Sequence, residues 1–394
     1  MKNRWGISKN VFVLGLVSFF NDVASEMIYP IVPIFLTSVL GAPVAIVGLI
    51  EGIAESTASI LKVVSGYLSD KWLKRKSFVA AGYSVSAFSK ILLGLASAWP
   101  FVLFARFIDR FGKGVRTSAR DALITESSEG ASRGRAFGFH RGLDTMGAVI
   151  GPLIALLAIH FLDNNFRLIF FLAFIPAFIG ILLLLFFVQE RKKEAGNSPA
   201  LHLKWQAINP SFKVFLVISF VFALGNSSDA FLILRAKNLG FSVSMVIVLY
   251  VLFNFTYAIF SMPAGVISDK VGPKKVLLTG FLLFSAVYLF FGIAHSYFLW
   301  VLFPVYGIYM ALTEGVGKAY ISNLVPQEKV GTAFGIYQTI IGLCTFFASL
   351  IAGLLWTYAG VKAPFIFGSV MAAISSLLFV VLEKRMAGNT TFRS

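Results

Sequence analysis

Apolar residues fill most of this chain in long stretches, which are separated by short polar clusters rich in charges and turn residues. Each stretch is about twenty residues or longer, the length of a helix that crosses a bilayer, and none has the shorter alternating pattern of a barrel strand. The pattern predicts an all-α membrane protein. Breaking the stretches at turn signals and charge clusters gives twelve predicted spans: residues 11–40, 44–69, 77–98, 100–127, 135–162, 167–188, 211–238, 244–268, 275–295, 297–325, 332–359 and 364–383.

The composition supports a membrane location. Of 394 residues, 58% are hydrophobic and 13% charged, and the mean hydropathy is +0.83, far more apolar surface than one soluble core can bury. Several spans exceed the minimum length, so we expect tilted or bent helices. Prolines mark the expected bends: Pro30, Pro33, Pro152, Pro176, Pro263 and Pro304.

Lysine and arginine are concentrated in alternate connections, which predicts that both termini are cytoplasmic. This placement also accounts for the net charge of +16, so no nucleic-acid partner is expected; the basic residues face anionic lipid headgroups instead. We expect a multi-pass protein of the bacterial inner membrane. The predicted cytoplasmic residues include Lys2, Arg4, Lys9, Lys71, Lys74, Arg75, Lys76, Arg133, Arg135, Arg191, Lys192, Lys193, Lys204, Lys270, Lys274, Lys275, Lys329, Lys384 and Arg385.

The sequence is internally repeated. A basic loop at residues 66–76 recurs at 265–275. The Gly-x-Ala-Phe-Gly pattern at 134–138 recurs at 331–335, and the offset of this second repeat is 197 residues. Such repeats are common in membrane carriers. We therefore predict an N-terminal six-helix bundle at residues 1–190, a cytoplasmic linker at 191–210 and a C-terminal six-helix bundle at 211–394.

The repeated loop carries a recognisable motif, with glycine, aspartate and a basic residue at matched positions after the second and eighth spans. Together with six plus six spans and a basic central connection, it resembles the major facilitator superfamily. The resemblance implies two pseudo-symmetric bundles, a monomer, and loops that govern conformational switching. The glycines would permit close helix contact. The predicted switch residues are Gly66, Asp70, Lys71, Gly265, Asp269 and Lys270.

A second motif lies on the fifth span, where Gly138, Gly147, Gly151 and Pro152 follow the spacing of the family's antiporter motif. The last position departs from that motif, because Ala155 replaces the usual glycine. The likeness implies export and resembles the drug/proton antiporter branch. The alternative is glycine-mediated helix packing of the kind found in any bundle, since small residues at this spacing let a second helix approach.

Ionisable residues near the middle of the N-terminal spans are the main candidates for function. Ten such groups facing lipid would cost about 25–35 kcal/mol at about 2.5–3.5 kcal/mol each, so they must face water or pair inside the bundle. Proton coupling is one role for them, and structural ion pairing is the alternative. The resemblance implies a role in proton transfer for an arginine of the fourth span, and either Arg106 or Arg110 is the candidate for it. The candidates are Asp22, Glu26, Glu51, Glu55, Arg106, Asp109, Arg110, Arg141 and Asp144, with Lys90 nearby.

The C-terminal spans are poorer in central charges and richer in tyrosine, so we expect them to shape the substrate cavity. The predicted cavity residues are Asn226, Asp229, Asn254, Tyr306, Tyr309, Glu314 and Gln338. No metal site or cofactor is expected, because the four histidines lack ligand spacing and the chain has no phosphate-binding loop.

The sequence does not predict an enzyme, because no nucleophile and base pair is apparent. It predicts a secondary active transporter that uses protons to export a small amphipathic or anionic compound by alternating access. The alternative is proton-coupled uptake or exchange of an organic acid, chelate or other metabolite, which the cations of the fourth span favour. An uncoupled channel would need few central carboxylates, and a sensor would need a soluble output domain.

Overall fold

The fold was analysed in a computed structural model, which describes residues 7–72, 74–128, 133–190, 209–326 and 330–390. Within these ranges the chain is helical and contains no strand. A π-helical turn at Phe35–Val39 and a 3-10 turn at Ser296–Phe298 accompany the α-helices. The α-helices are α1 Lys9–Ile28, α2 Val32–Ile34, α3 Val44–Trp72, α4 Arg75–Gly94, α5 Trp99–Glu126, α6 Arg133–Phe161, α7 Phe166–Phe187, α8 Pro210–Gly225, α9 Ala230–Asn238, α10 Val243–Val271, α11 Pro273–Ile293, α12 Leu299–Leu324, α13 Val330–Ala359 and α14 Ala363–Thr390.

Eleven segments in the described ranges are long and apolar enough to cross a membrane, and they coincide with eleven of the twelve predicted spans. The predicted span 100–127 is helix α5, which fails the same criterion because of its many charged residues. Several of these charges are nevertheless buried inside the protein, including Arg106, Asp109, Arg110 and Arg116. The charged side chains of such a helix need polar partners on neighbouring helices, since lipid offers none.

Two of the predicted spans are broken rather than continuous. The first ends as α1 at Ile28, before Pro30, and resumes as α2 and the π-helical turn. The seventh divides into α8 and α9, with residues 226–229 outside both helices. The prolines predicted a bend at the first of these positions, and the structure has a break there. The second was not predicted, although Gly225 is followed by Asn, Ser, Ser and Asp, which favour turns because their side chains compete for backbone hydrogen bonds.

The helices cluster into two compact units. Unit 1 contains Met1–Ala42, Ile53–Pro199 and Ser242–Val251, and unit 2 contains Pro43–Gly52, Ala200–Phe241 and Leu252–Ser394. The first residues of α3 thus belong to unit 2, and those of α10 to unit 1. Residues 191–208 of the predicted linker lie outside the described ranges, so the division at that linker stays a prediction.

Close helix approaches define the packing of each unit. In unit 1, α4 packs on α5 and α7, and α1 packs on α6 and α7. A Cβ added at Gly82 of α4 would lie 2.6 Å from the carbonyl oxygen of Gly112 of α5. In unit 2, α11 packs on α12 and α14, and a Cβ at Gly368 would lie 2.6 Å from the carbonyl oxygen of Gly225. These glycines bring helix backbones close enough for short side chains to bridge them.

Candidate functional site

The motif glycines of α6 bring the acidic face of α1 against that helix. A Cβ added at Gly147 would lie 2.6 Å from the carbonyl oxygen of Phe19 and 2.9 Å from the Cβ of Asp22. One turn further, a Cβ at Gly151 would lie 2.6 Å from the carbonyl oxygen of Val23 and 3.0 Å from the Cβ of Glu26. The glycine pattern predicted from the sequence therefore positions two carboxyl-bearing residues on the α1/α6 contact.

Gly138 does not share this role, because nothing lies within 4 Å of a Cβ placed there. Its match to the motif is not explained by helix packing in the described residues.

Asp144 of α6 lies at the centre of a polar network that spans three helices. Its carboxylate accepts a hydrogen bond of 2.6 Å from the Ser18 hydroxyl and one of 3.1 Å from the Arg141 guanidinium. Asp22 lies one turn after Ser18 on α1. Arg120 of α5 donates to Ser18 Oγ at 3.2 Å and forms an ion pair of 3.0 Å with Asp121. The network thus joins Asp144 of α6 to a guanidinium of α5 through the Ser18 hydroxyl of α1.

Asp109 occupies a separate and fully enclosed site between α4 and α5. Its Oδ1 atom lies 2.6 Å from Lys90 Nζ, and it accepts hydrogen bonds from Ser86 Oγ at 2.5 Å and Ser89 Oγ at 3.3 Å. Arg106 lies 3.9 Å from the other carboxylate oxygen. The Lys90 side chain is 0% exposed, and that of Asp109 is 4% exposed. This pair is saturated with partners, as a stable buried ion pair must be.

The other predicted N-terminal candidates pair with neighbours inside unit 1. Arg110 NH2 lies 2.9 Å from Glu55 Oε1, and Glu26 accepts a hydrogen bond of 2.8 Å from the Tyr250 hydroxyl. The Arg106 guanidinium lies 5.7 Å from the ring centroid of Tyr29, a cation–π contact.

Glu51 and Glu55, one turn apart on α3, fall into different units. Glu51 is buried in unit 2, where the Ser228 hydroxyl lies 3.4 Å from its Oε2 atom. Glu55 joins the cation-rich centre of unit 1. Sequence spacing placed both on one helix face but could not show that the helix passes from one unit to the other.

The predicted cavity residues of the C-terminal half are partly assembled in unit 2. The Tyr306 hydroxyl donates to Asp229 Oδ1 at 2.7 Å, and Asn226 Nδ2 donates to the Tyr309 hydroxyl at 3.1 Å. The non-helical segment 226–229 thus faces a cluster of buried tyrosines. The Tyr257 hydroxyl donates to Glu314 at 2.9 Å in a second group. Asn254 lies on α10 and Gln338 on α13.

The two switch loops are not equivalent. A Cβ at Gly66 would lie 3.2 Å from Ser118 Cβ, so α3 and α5 are close there, as predicted. At Gly265 nothing lies within 4 Å, and the close helix contact predicted at this position is absent among the described residues. Asp269 and Lys270 are exposed. The side chains of Asp70 and Lys71 lie outside the described part of the chain.

Several site residues were missed by the sequence analysis, above all Arg120 and Ser18. Arg120 continues the stripe of cations on α5 at helical spacing after Arg110, Lys113 and Arg116, so a longer search along that face would have found it. Ser18 lies one turn before Asp22 on the same face of α1. As a serine, Ser18 has no feature that would distinguish it in the sequence from the other serines of the chain.

The comparisons with known proteins agree on one protein family. The family model of the major facilitator superfamily matches residues 14–232 and 214–393. An MFS-type transporter of Methanocaldococcus jannaschii, itself uncharacterised, is 41% identical over 392 residues, covering 97% of this chain and 96% of the relative. The quinolone resistance protein NorA of Staphylococcus aureus is 22% identical over 396 residues, covering 96% and 97%.

Solved structures show the same fold. A POT family transporter superposes with a TM-score of 0.81 at 13% identity, covering 98% of each chain. A D-xylose-proton symporter superposes with a TM-score of 0.76 at 16% identity, covering 94% of this chain and 96% of the other. The predicted fold class of twelve transmembrane helices in two pseudo-symmetric bundles is confirmed, and the chain belongs to the major facilitator superfamily of multi-pass membrane transporters.

Proposed function

We propose that this transporter uses protons to export a small amphipathic or anionic compound by alternating access. The observation that carries the proposal is the network in which Asp144 of α6 accepts from the Ser18 hydroxyl of α1, Arg120 of α5 donates to the same hydroxyl, and Asp22 lies one turn along α1. A cluster whose members must exchange partners when a proton enters or leaves can couple proton binding to helix position.

The charge balance of α5 supports a substrate with negative charge. The NH1 atom of buried Arg116 has no hydrogen-bond partner among the described residues. Arg116 instead stacks over the Tyr83 ring at 4.6 Å. A guanidinium with an unused donor is suited to attract an anionic group, while the tyrosine cluster of unit 2 offers apolar surface with polar tips.

Export is favoured by the glycine motif of α6 and by the name of the S. aureus relative, a quinolone resistance protein. Proton-coupled uptake or exchange of an organic acid, chelate or other metabolite is the second candidate. The cation-rich face of α5 favours it, because such a face suits a small carboxylate as well as an amphipathic one.

The proposed setting is the cytoplasmic membrane of a bacterium, with both termini in the cytoplasm. The lysines and arginines of alternate connections support this orientation. Protons, the transported solute and membrane lipids are the proposed partners. The chain is proposed to act as a monomer built from the two sequence halves, residues 1–190 and 211–394, joined by the linker 191–210.

Reconstitution in liposomes tests coupling and charge preference together. We expect an imposed pH gradient to drive accumulation of a fluoroquinolone or of benzoate, but not of glucose or tetraphenylphosphonium. Benzoate alone would favour the second candidate, and the fluoroquinolone alone would favour drug export. Transport that continues unchanged when the pH gradient is removed would contradict proton coupling.

The Asp22→Asn variant gives a sharper prediction. The amide cannot release a proton, so we expect accumulation driven by the pH gradient to fall to the level seen without a gradient, while exchange of labelled for unlabelled solute continues. Both rates are measured in the same liposomes. Asp163→Asn is the matched control, because Asp163 is exposed in the connection between α6 and α7. Undiminished gradient-driven accumulation by Asp22→Asn would exclude Asp22 from coupling.

A further inference from the structure

Two unused hydrogen-bond donors meet where α4 packs on α5 inside unit 1. Arg116 of α5 is 4% exposed, and its NH1 atom is buried without a hydrogen-bond partner among the described residues. Its guanidinium lies over the ring of Tyr83 of α4, with 4.6 Å between the guanidinium carbon and the ring centroid. The Tyr83 hydroxyl is also buried and has no hydrogen-bond partner within the described ranges. Both donors therefore belong to one contact between two helices.

Helix packing holds Arg116 in this position. A Cβ added at Gly82 of α4 would lie 2.7 Å from the Cβ of Arg116 and 2.9 Å from its backbone nitrogen. The side chain therefore leaves α5 directly at the contact with α4. A guanidinium buried at such a contact needs a counter-charge and hydrogen-bond acceptors, because water is not there to supply them.

The helices packed at this contact offer no carboxylate for Arg116. Each of the three acidic residues of α5 is paired with another cation. The pairs are Asp109 with Lys90 at 2.6 Å, Asp121 with Arg120 at 3.0 Å and Glu126 with Arg75 at 2.6 Å. Helices α4 and α7, which pack on each other beside α5, contain no acidic residue. The counter-charge of Arg116 must come from elsewhere.

The charge along α5 favours an anion as that partner. The helix carries five basic residues and three acidic ones. Lys113 and Arg120 lie one turn before and one turn after Arg116 at helical spacing, so Arg116 is flanked by cations on its own face. A cluster of like charges with low-dielectric walls raises the local concentration of ions of the opposite sign.

We propose that Arg116 and Tyr83 bind a compact monovalent anion at the α4/α5 contact. The guanidinium donates through NH1 and the tyrosine through its hydroxyl. A halide ion and the carboxylate group of the transported solute share the required chemistry, since both carry one negative charge and accept hydrogen bonds. The inference rests on the proposed anionic solute only where the anion is that carboxylate. A halide would instead be a resident ion that balances a buried charge.

Thermal midpoints of the purified full-length protein in detergent test the site. Sodium chloride is titrated against sodium HEPES, which has a bulky anion, at constant ionic strength so that screening does not change. We expect the midpoint to rise by about 2–4 °C and then level off, as binding to the folded state alone requires. A second titration uses sodium benzoate in place of chloride.

The two titrations distinguish the sources of the anion. A response to chloride alone identifies a halide site, and a response to benzoate alone identifies a site for the carboxylate of the solute. Responses to both identify one site that accepts either. A midpoint that changes with neither salt would overturn the proposal.

The Arg116→Met variant should lose the response. Without chloride or benzoate it should be at least as stable as the parent protein, because it lacks the buried charge that needs a partner. Arg167→Met is the matched control, since Arg167 is exposed at the start of α7, and it should keep the response. A response that survives in Arg116→Met would show that the anion binds elsewhere and would overturn the site.

The Tyr83→Phe variant tests the second donor while Arg116 keeps its charge. The ring remains, but the hydroxyl is lost. We expect the anion concentration at half of the rise to increase about tenfold, roughly the effect of one hydrogen bond to a charged group. An unchanged concentration would overturn the assignment of the site to this pair of residues, whether or not Arg116→Met yields folded protein.

The site and the proposed function fail separately. If the parent protein transports an anionic solute but its midpoint responds to neither salt, the site is overturned and the proposed function stands. If the midpoint responds to chloride and the response is lost in Arg116→Met, but liposomes transport neither the fluoroquinolone nor benzoate, the site stands as a halide site. The proposed anionic solute is then overturned.

Discussion

Replacing Lys90 by methionine is expected to lower the free energy of unfolding by about 3–5 kcal/mol, because Asp109 would lose the closest cation that balances its buried charge. Lys90 Nζ lies 2.6 Å from the carboxylate, and both side chains are buried between α4 and α5. Ser86 and Ser89 also donate to Asp109, but the nearest remaining cation, Arg106, lies 3.9 Å from the carboxylate.

The loss is measured as a fall in the thermal midpoint of the purified protein in detergent. The double variant Lys90→Met/Asp109→Leu should recover most of the stability, since a buried ion pair replaced by apolar residues of similar size is often neutral. Lys362→Met is the matched control, because Lys362 is exposed. A Lys90→Met protein as stable as the control would contradict the assignment of this pair as structural.

An alanine at Gly147 or Gly151 is expected to destabilise the protein by about 1–3 kcal/mol, as overpacking does. The added Cβ would lie 2.6 Å from a carbonyl oxygen of α1 in each case, and backbone atoms cannot move aside as a flexible side chain can. Helix α1 must then shift away from α6, which separates Asp22 from Asp144. We therefore expect these variants to lose gradient-driven transport even where the purified protein remains folded.

Gly138 and Gly142 provide matched controls on the same helix, because nothing lies within 4 Å of a Cβ at either position. Alanine there should be neutral, or stabilising by up to about 0.5–1 kcal/mol from its higher helix propensity. Thermal midpoints and liposome transport are compared across the four variants. Equal effects at all four glycines would show that helix propensity, and not the α1/α6 contact, governs the result.

The sequence predicted the helices well because span length and apolar character are local properties of the chain. It also predicted a bend near Pro30, where the structure has a break in the helix, since proline lacks the backbone N–H that a helix interior uses. The break at residues 226–229 escaped prediction. Its residues are polar and turn-forming, yet the apolar stretches on both sides together have the length of one span.

The candidate residues were found more reliably than their partners. A charge in an apolar span is conspicuous by itself, so Asp22, Asp109 and Asp144 could be named from the sequence. Which cation or carboxyl group each one meets depends on the facing angles of neighbouring helices. Asp109 meets Lys90 from α4, whereas Asp144 meets Ser18 from α1 and Arg141 of its own helix. Asp109 therefore lies in an enclosed ion pair, whereas Asp144 belongs to a network that spans three helices.

By itself the sequence determined that this chain is a helical membrane protein with two repeated halves and a member of the major facilitator superfamily. The reason is that the length of apolar stretches, the repeated loops and the placement of charges are properties of the sequence alone. Only the tertiary structure decided that Asp22 and Glu26 lie against α6 at the Gly147 and Gly151 contacts, and that Lys90 pairs with Asp109. Hydrogen bonds and ion pairs act over a few ångströms, and helix packing alone sets which distant residues come that close.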